Sequence, residues 1–170
     1  MSKRQLISFI KELDREELEA QLIDLYERFK NVKEFYDFSF SPNENKRYQE
    51  AKYKIAKEYF PENGRKAKKR RSIAQNLFKH LLKLEFNPQL LADLMLFNIE
   101  IAQTYTKDQT IKQAAFCKSM LKSYRHALVY ISEHGLEIDF KNRVEAIVET
   151  AAEQKWENAE GFGLALKELV

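Results

Sequence analysis

A chain of 170 residues with only four glycines and three prolines has little with which to interrupt a helix. Inside a helix these two residues cost roughly 1 and 3 kcal/mol relative to alanine, so their scarcity leaves long stretches free to coil. Lys, Glu, Leu, Ala, Gln and Arg dominate the remainder, and all are good helix formers. No stretch sustains the apolar–polar alternation of a half-buried strand. The one short candidate, Phe38-Ser39-Phe40, reads as extended linker. The expectation is an all-α chain.

The start and stop signals divide it further. Ser2 caps a first helix through about Leu13. Asp14 and Glu17 form a capping box that opens a second helix to about Lys30, with Leu18, Leu22, Leu25 and Phe29 on one stripe. An aromatic linker, residues 33–40, follows. Ser41, Pro42 and Glu44 read as N-cap, first-turn proline and capping-box glutamate of a third helix, which Pro61 and Gly64 stop. Ser72 with Gln75 opens a fourth helix to about Glu85, and Asn87-Pro88 a fifth to about Tyr105. The fifth is apolar nearly all round and reads as the central buried helix. Asp108 caps a sixth that can reach His134, with Gly135 as its stop and a break near Ser123 as an option. Asp139 caps a seventh, and a last helix covers Gly163–Leu169. The predicted architecture is a single compact domain over residues 1–170, of seven to eight helices. It is either an irregular bundle or a short superhelical stack of helix pairs.

A domain of this length buries roughly two-thirds of its unfolded surface, so a core forms without metals or disulfides. Cys117 is the only cysteine, which excludes an intramolecular disulfide and a cysteine-based zinc cluster. The N-terminus lacks the apolar run of a secretory signal. The most apolar segment, residues 90–102, contains Asp93, Asn98 and Glu100 and is too polar to span a bilayer. The expectation is a cytoplasmic protein without a membrane role.

Catalytic patterns are missing. The four glycines form no phosphate loop. Leu77, Ser123 and Ile131 stand three residues before His80, His126 and His134, so the Glu-x-x-His pairs of a di-iron bundle are absent. Ala74, Met120 and Leu128 stand six residues before the same histidines, which excludes helical ribonucleases with an arginine there. His126 and His134 lie two helical turns apart, too far to chelate one ion. Asp93 and Glu100 share a face of the fifth helix, and a cation from a neighbouring helix is a more ordinary role for them than acid–base chemistry. Cys117 follows core spacing. Trp156 reads as an anchor for the last helix, and Phe35, Tyr36, Phe38 and Phe40 as an apolar plug rather than a base-stacking platform. No catalytic residue, metal ligand or cofactor is predicted.

One segment stands out. Between Lys46 and Lys83 there are thirteen lysines and arginines against three acids, a net charge of +10, flanked by −3 over residues 1–45 and −4 over residues 84–170. The overall +3 hides this asymmetry, which is the footprint of a polyanion-binding face. Six of the seven residues 65–71 are cationic and lie just before a helix start. A helix N-terminus already carries about half a positive charge, so cations there are unfavourable until an anion joins them. The candidate binding residues are Lys46, Arg47, Lys54, Lys57, Arg65, Lys66, Lys68, Lys69, Arg70 and Arg71. The bland alternative is internal neutralisation by the acidic flanks. The function reading is a non-enzymatic binding module for nucleic acid or another polyanion. The alternative is an adaptor that docks an acidic protein partner.

Three stretches, residues 24–38 (DLYERFKNVKEFYDF), 52–66 (KYKIAKEYFPENGRK) and 91–105 (LADLMLFNIEIAQTY), resemble a family of bacterial helical proteins of about this length with no assigned function. The resemblance implies a bacterial cytosolic protein whose domain covers the whole chain. It carries over no catalytic residues.

Overall fold

The computed structural model describes residues 2–107 and 114–169. Among these there is no strand, and there are nine helices: α1 Lys3–Glu12, α2 Arg15–Arg28, α3 Lys30–Phe40, α4 Glu44–Tyr59, α5 Arg71–Lys83, α6 Pro88–Thr106, α7 Ala114–Glu133, α8 Glu137–Glu153 and α9 Ala159–Leu169. The all-α expectation holds, with one or two helices more than predicted. They group into two compact units, residues 1–43 and 44–170.

In the first unit the Asp14 box forms as read. Glu17 N–H donates to Asp14 Oδ1 at 2.8 Å and Asp14 N–H to Glu17 Oε2 at 3.0 Å. The aromatic linker is not extended: residues 33–40 belong to α3, which packs along α2. Aromatic residues lose only a few tenths of a kcal/mol of helix propensity, and here local contacts offset it. Tyr36 stacks on Phe40 one turn on, the Ser39 hydroxyl donates to the Phe35 carbonyl, and Tyr26 O–H donates to Asp37 Oδ1 at 2.6 Å. Neither α1 nor α2 buries a residue.

The second unit is built around α6. Its helix start is the predicted one: Asn87 Oδ1 accepts from Leu90 N–H, and Pro88 takes the first position. Leu91, Ala92, Leu94, Leu96, Ile99 and Ala102 are fully enclosed. α4, α5, α7 and α8 all pack on it, and α9 closes over α7 and α8. In a superhelical stack each pair touches only its neighbours. Here α6 joins helices from both sides of the sequence, as in a bundle. Cys117 is buried, and Trp156 packs edge-on against Phe116 and Phe162, joining α7 to α9. Tyr124 O–H donates to the Val144 carbonyl at 2.9 Å, tying α7 to α8.

Three predicted caps are displaced. α4 begins at Glu44, whose carboxylate accepts from Asn87 N–H at 2.9 Å, and Ser41 N–H instead closes α3 on Asp37. α5 begins at Arg71, so Ser72 lies inside the first turn. α8 begins at Glu137, because Gly135 (φ +65°) lets Leu136 N–H return to the Ile131 carbonyl and leaves Leu136 to start the next helix in place of Asp139. α7 runs through Ser123 without a break, and the predicted Asp108 cap lies outside the described residues. α9 starts four residues before Gly163.

Candidate anion-binding cleft

The cleft begins with the way α4 ends. After Pro61, Asn63 and Gly64 both take left-handed conformations, and the chain turns back along the helix it has left. Lys69, at φ +52°, is left-handed as well. This turn directs Lys69 N–H onto the Glu58 carbonyl at 2.9 Å. Arg70 N–H then meets Glu58 Oε2 at 3.1 Å, and the Arg70 guanidinium grips both carboxylate oxygens at 3.0 and 2.7 Å. Glu58 is buried, so this fork supplies most of its compensation. The Arg70 guanidinium holds the Glu58 carboxyl below its ordinary range, and Glu58 in turn raises Arg70. Glu58 therefore sets where α5 starts. Arg70 holds the cap position with its own side chain turned to Glu58, and offers no acceptor to the first turn of α5. Next along the chain, Arg71 Nη1 donates to the Ala115 carbonyl of α7 at 2.7 Å.

α5 and α7 both lean on α6, and the space between their ends is an open cleft of about 680 Å³. One wall is Lys68, Lys69, Arg70, Arg71, Ser72 and Gln75. The other is Ala115, Lys118, Ser119 and Lys122. Six of these ten side chains are cationic and none is acidic. Lys69 lies over the Tyr105 ring, with Nζ 5.4 Å from its centroid. Gln75 and Lys122 also line a second cavity of about 460 Å³ farther along α5 and α7, which adds Phe78, Leu82, Met95, His126, Val129 and Tyr130 together with the polar Lys79, Ser123 and Glu133. A cationic cleft therefore adjoins a mixed cavity in which apolar and aromatic side chains stand beside Lys79 and Glu133.

The predicted basic residues separate into two groups. Lys68, Lys69, Arg70 and Arg71 line the cleft, whereas Lys46, Arg47, Lys54, Lys57, Arg65 and Lys66 do not. Lys57 is occupied locally, donating to Tyr53 at 2.9 Å and lying 3.5 Å from Glu62. Lys52 lies over the rings of Tyr48 and Phe97. Lys118, Ser119 and Lys122 join the cleft from outside the basic segment 46–83. Their only signal is an i, i+4 lysine pair on a helix, which means little until α7 is known to face α5.

The other candidates resolve structurally. Arg143 of α8 forks onto Glu100 at 2.8 Å twice and reaches Asp93, whose other oxygen accepts from Tyr48 O–H. Both carboxylates are thus held by an arginine across α6 and α8. His134 Nδ1 lies 2.8 Å from the Tyr130 carbonyl, and its ring packs at a tilt against Tyr130, the centroids 4.1 Å apart. Among the described residues no group of His, Cys, Asp or Glu is placed to hold a metal ion, and no helix is long and apolar enough to cross a membrane.

An all-helical chain with a cationic cleft, rather than a carboxylate or histidine centre, is the class these observations define. The chain belongs to a family of unknown function, DUF6155, whose model matches residues 1–169. No curated protein and no solved structure matches it.

Proposed function

We propose that this protein is a binding module for phosphate-bearing polyanions, with single-stranded nucleic acid as the ligand best suited to the groove. The observation that carries the reading is the composition of the cleft: cations from two segments far apart in sequence converge on it, no acid lines it, and Arg70 is held by the carboxylate of Glu58. Like charges gathered at a helix start raise the energy of the free protein, and a phosphate relieves it by accepting from both walls. The adjoining cavity, with Phe78 and His126 in its wall, gives a base somewhere to lie once its phosphate is seated, and Lys79 accompanies its one acid, Glu133. Contacts of this kind bind irrespective of sequence and weaken with salt.

The test is fluorescence anisotropy with a labelled single-stranded oligonucleotide across a salt series. The expected log–log slope is roughly −0.7 for each phosphate neutralised. Lys68→Gln, Lys118→Gln and Lys122→Gln together should weaken binding to all sequences alike and flatten the slope by about 2. Arg70 is left in place because it serves Glu58. Absence of binding at low salt, in a folded wild-type protein, overturns the nucleic-acid reading. The same cleft would then favour docking of an acidic protein segment.

A further inference from the structure

The first unit carries a second, independent feature. α1 and α2 carry apolar stripes, yet Leu6, Ile7, Phe9 and Ile10 on α1, Leu18, Leu22 and Leu25 on α2, and Phe29 at the junction of α2 with α3 are all 37–57% exposed, and Ile23 of α2 is 59% exposed. Phe38 is the one buried side chain among the described residues of this unit. About 40 residues is near the lower limit for an independent core, and units of that size ordinarily rely on a partner surface. Within α2, Leu18, Leu22 and Leu25 follow each other at intervals of four and three, and Phe29 adds an exposed ring at the junction with α3. That is the spacing at which one helix lays a stripe against another.

Charge identifies which helix. α1 carries Lys3, Arg4 and Lys11 against Glu12, a net +2, whereas α2 carries five acids against Arg15 and Arg28, a net −3. The two α2 arginines are already spent on Glu19 and Asp24 of the same helix. A two-fold axis that lays α1 of one copy along α2 of the other buries both stripes and pairs the basic helix with the acidic one twice over. An anionic membrane would suit the basic α1 but repel α2. We propose that α1 and α2 form a homodimer interface in which each copy's α1 packs on its partner's α2.

The full-length chain should sediment at twice the chain mass at high concentration and dissociate on dilution. Leu22→Glu with Leu25→Glu should give a monomer with unchanged helix content by circular dichroism. The decisive arm swaps charges. Variant one has Lys3, Arg4 and Lys11 changed to Glu, and variant two has Glu16→Lys and Glu27→Lys. Each alone should raise the dimer dissociation constant about tenfold or more, and an equimolar mixture should restore wild-type association, because every α1–α2 contact is again opposite in sign. A wild-type chain that stays monomeric throughout overturns the proposal. So does a pair of variants that fails to recover on mixing, or a monomer that floats with anionic phosphatidylserine vesicles. None of these outcomes bears on the cleft, which lies in residues 44–170.

Discussion

Glu58 is the residue on which the cleft most depends. Its carboxylate takes the N–H and the guanidinium of Arg70, and so fixes the turn from which Lys68 and Arg71 project. Its carboxyl lies below the usual 4.5 because Arg70 hydrogen-bonds its charged form. A lowered folded value means the stabilisation is present above the unfolded value and is lost as pH falls through the folded one. Urea midpoints measured on either side of 4.5 should therefore fall more steeply in wild type than in Glu58→Gln. At neutral pH that variant should lose about 1–3 kcal/mol, since Arg70 keeps only a neutral acceptor. Arg143 is a parallel case. Replacing it by Met leaves Asp93 and Glu100, two turns apart on the same face of α6, without the arginine that bridges them. All three side chains are partly exposed, which limits the loss to about 2 kcal/mol, below that of a fully buried pair. Arg143→Lys should recover only part of it, because lysine cannot fork. Equilibrium urea unfolding measures both.

At the scale of elements, local signals located most helices but not all their starts. Asp14 and Asn87 cap as their side chains suggest because nothing remote competes. Ser72 lost its role to Glu58, a side chain from another helix, and Asp139 lost its role to Gly135, two positions before the helix begins. α3 was hidden for the opposite reason: its aromatic spacing reads as a linker plug until Tyr26, Tyr36 and Ser39 supply partners. The cleft was half legible. Its first wall is a contiguous run of cations, whereas its second is a lysine pair placed only by the packing of α5 and α7 on α6. The turn between α7 and α8 offers a clean test of backbone cost. Gly135 has φ +65°, and a Cβ there would meet nothing within 4 Å. Gly135→Ala should thus cost about 1 kcal/mol from the left-handed conformation alone, and Gly135→Asn less, because asparagine tolerates it better. The denaturant midpoint should shift without a change in m-value.

For the molecule as a whole, the separation of the buried side chains is the informative fact. Apart from Phe38, every buried apolar side chain among the described residues belongs to residues 44–170, around α6. The cleft and its Glu58 anchor lie there too. A fragment beginning at Asn43 keeps Glu44, whose carboxylate holds the start of α6 through Asn87 N–H. That fragment should fold cooperatively, with one transition by both near-ultraviolet circular dichroism and fluorescence. It should bind the oligonucleotide with the salt slope of the full chain, since every cation in the cleft is retained. It should also be monomeric, because the α1–α2 seam has been removed. A fragment that expands, binds a hydrophobic dye and loses its near-ultraviolet signal would show that residues 1–43 contribute essential apolar cover. A folded fragment with an altered salt slope would instead place part of the polyanion surface in the first unit.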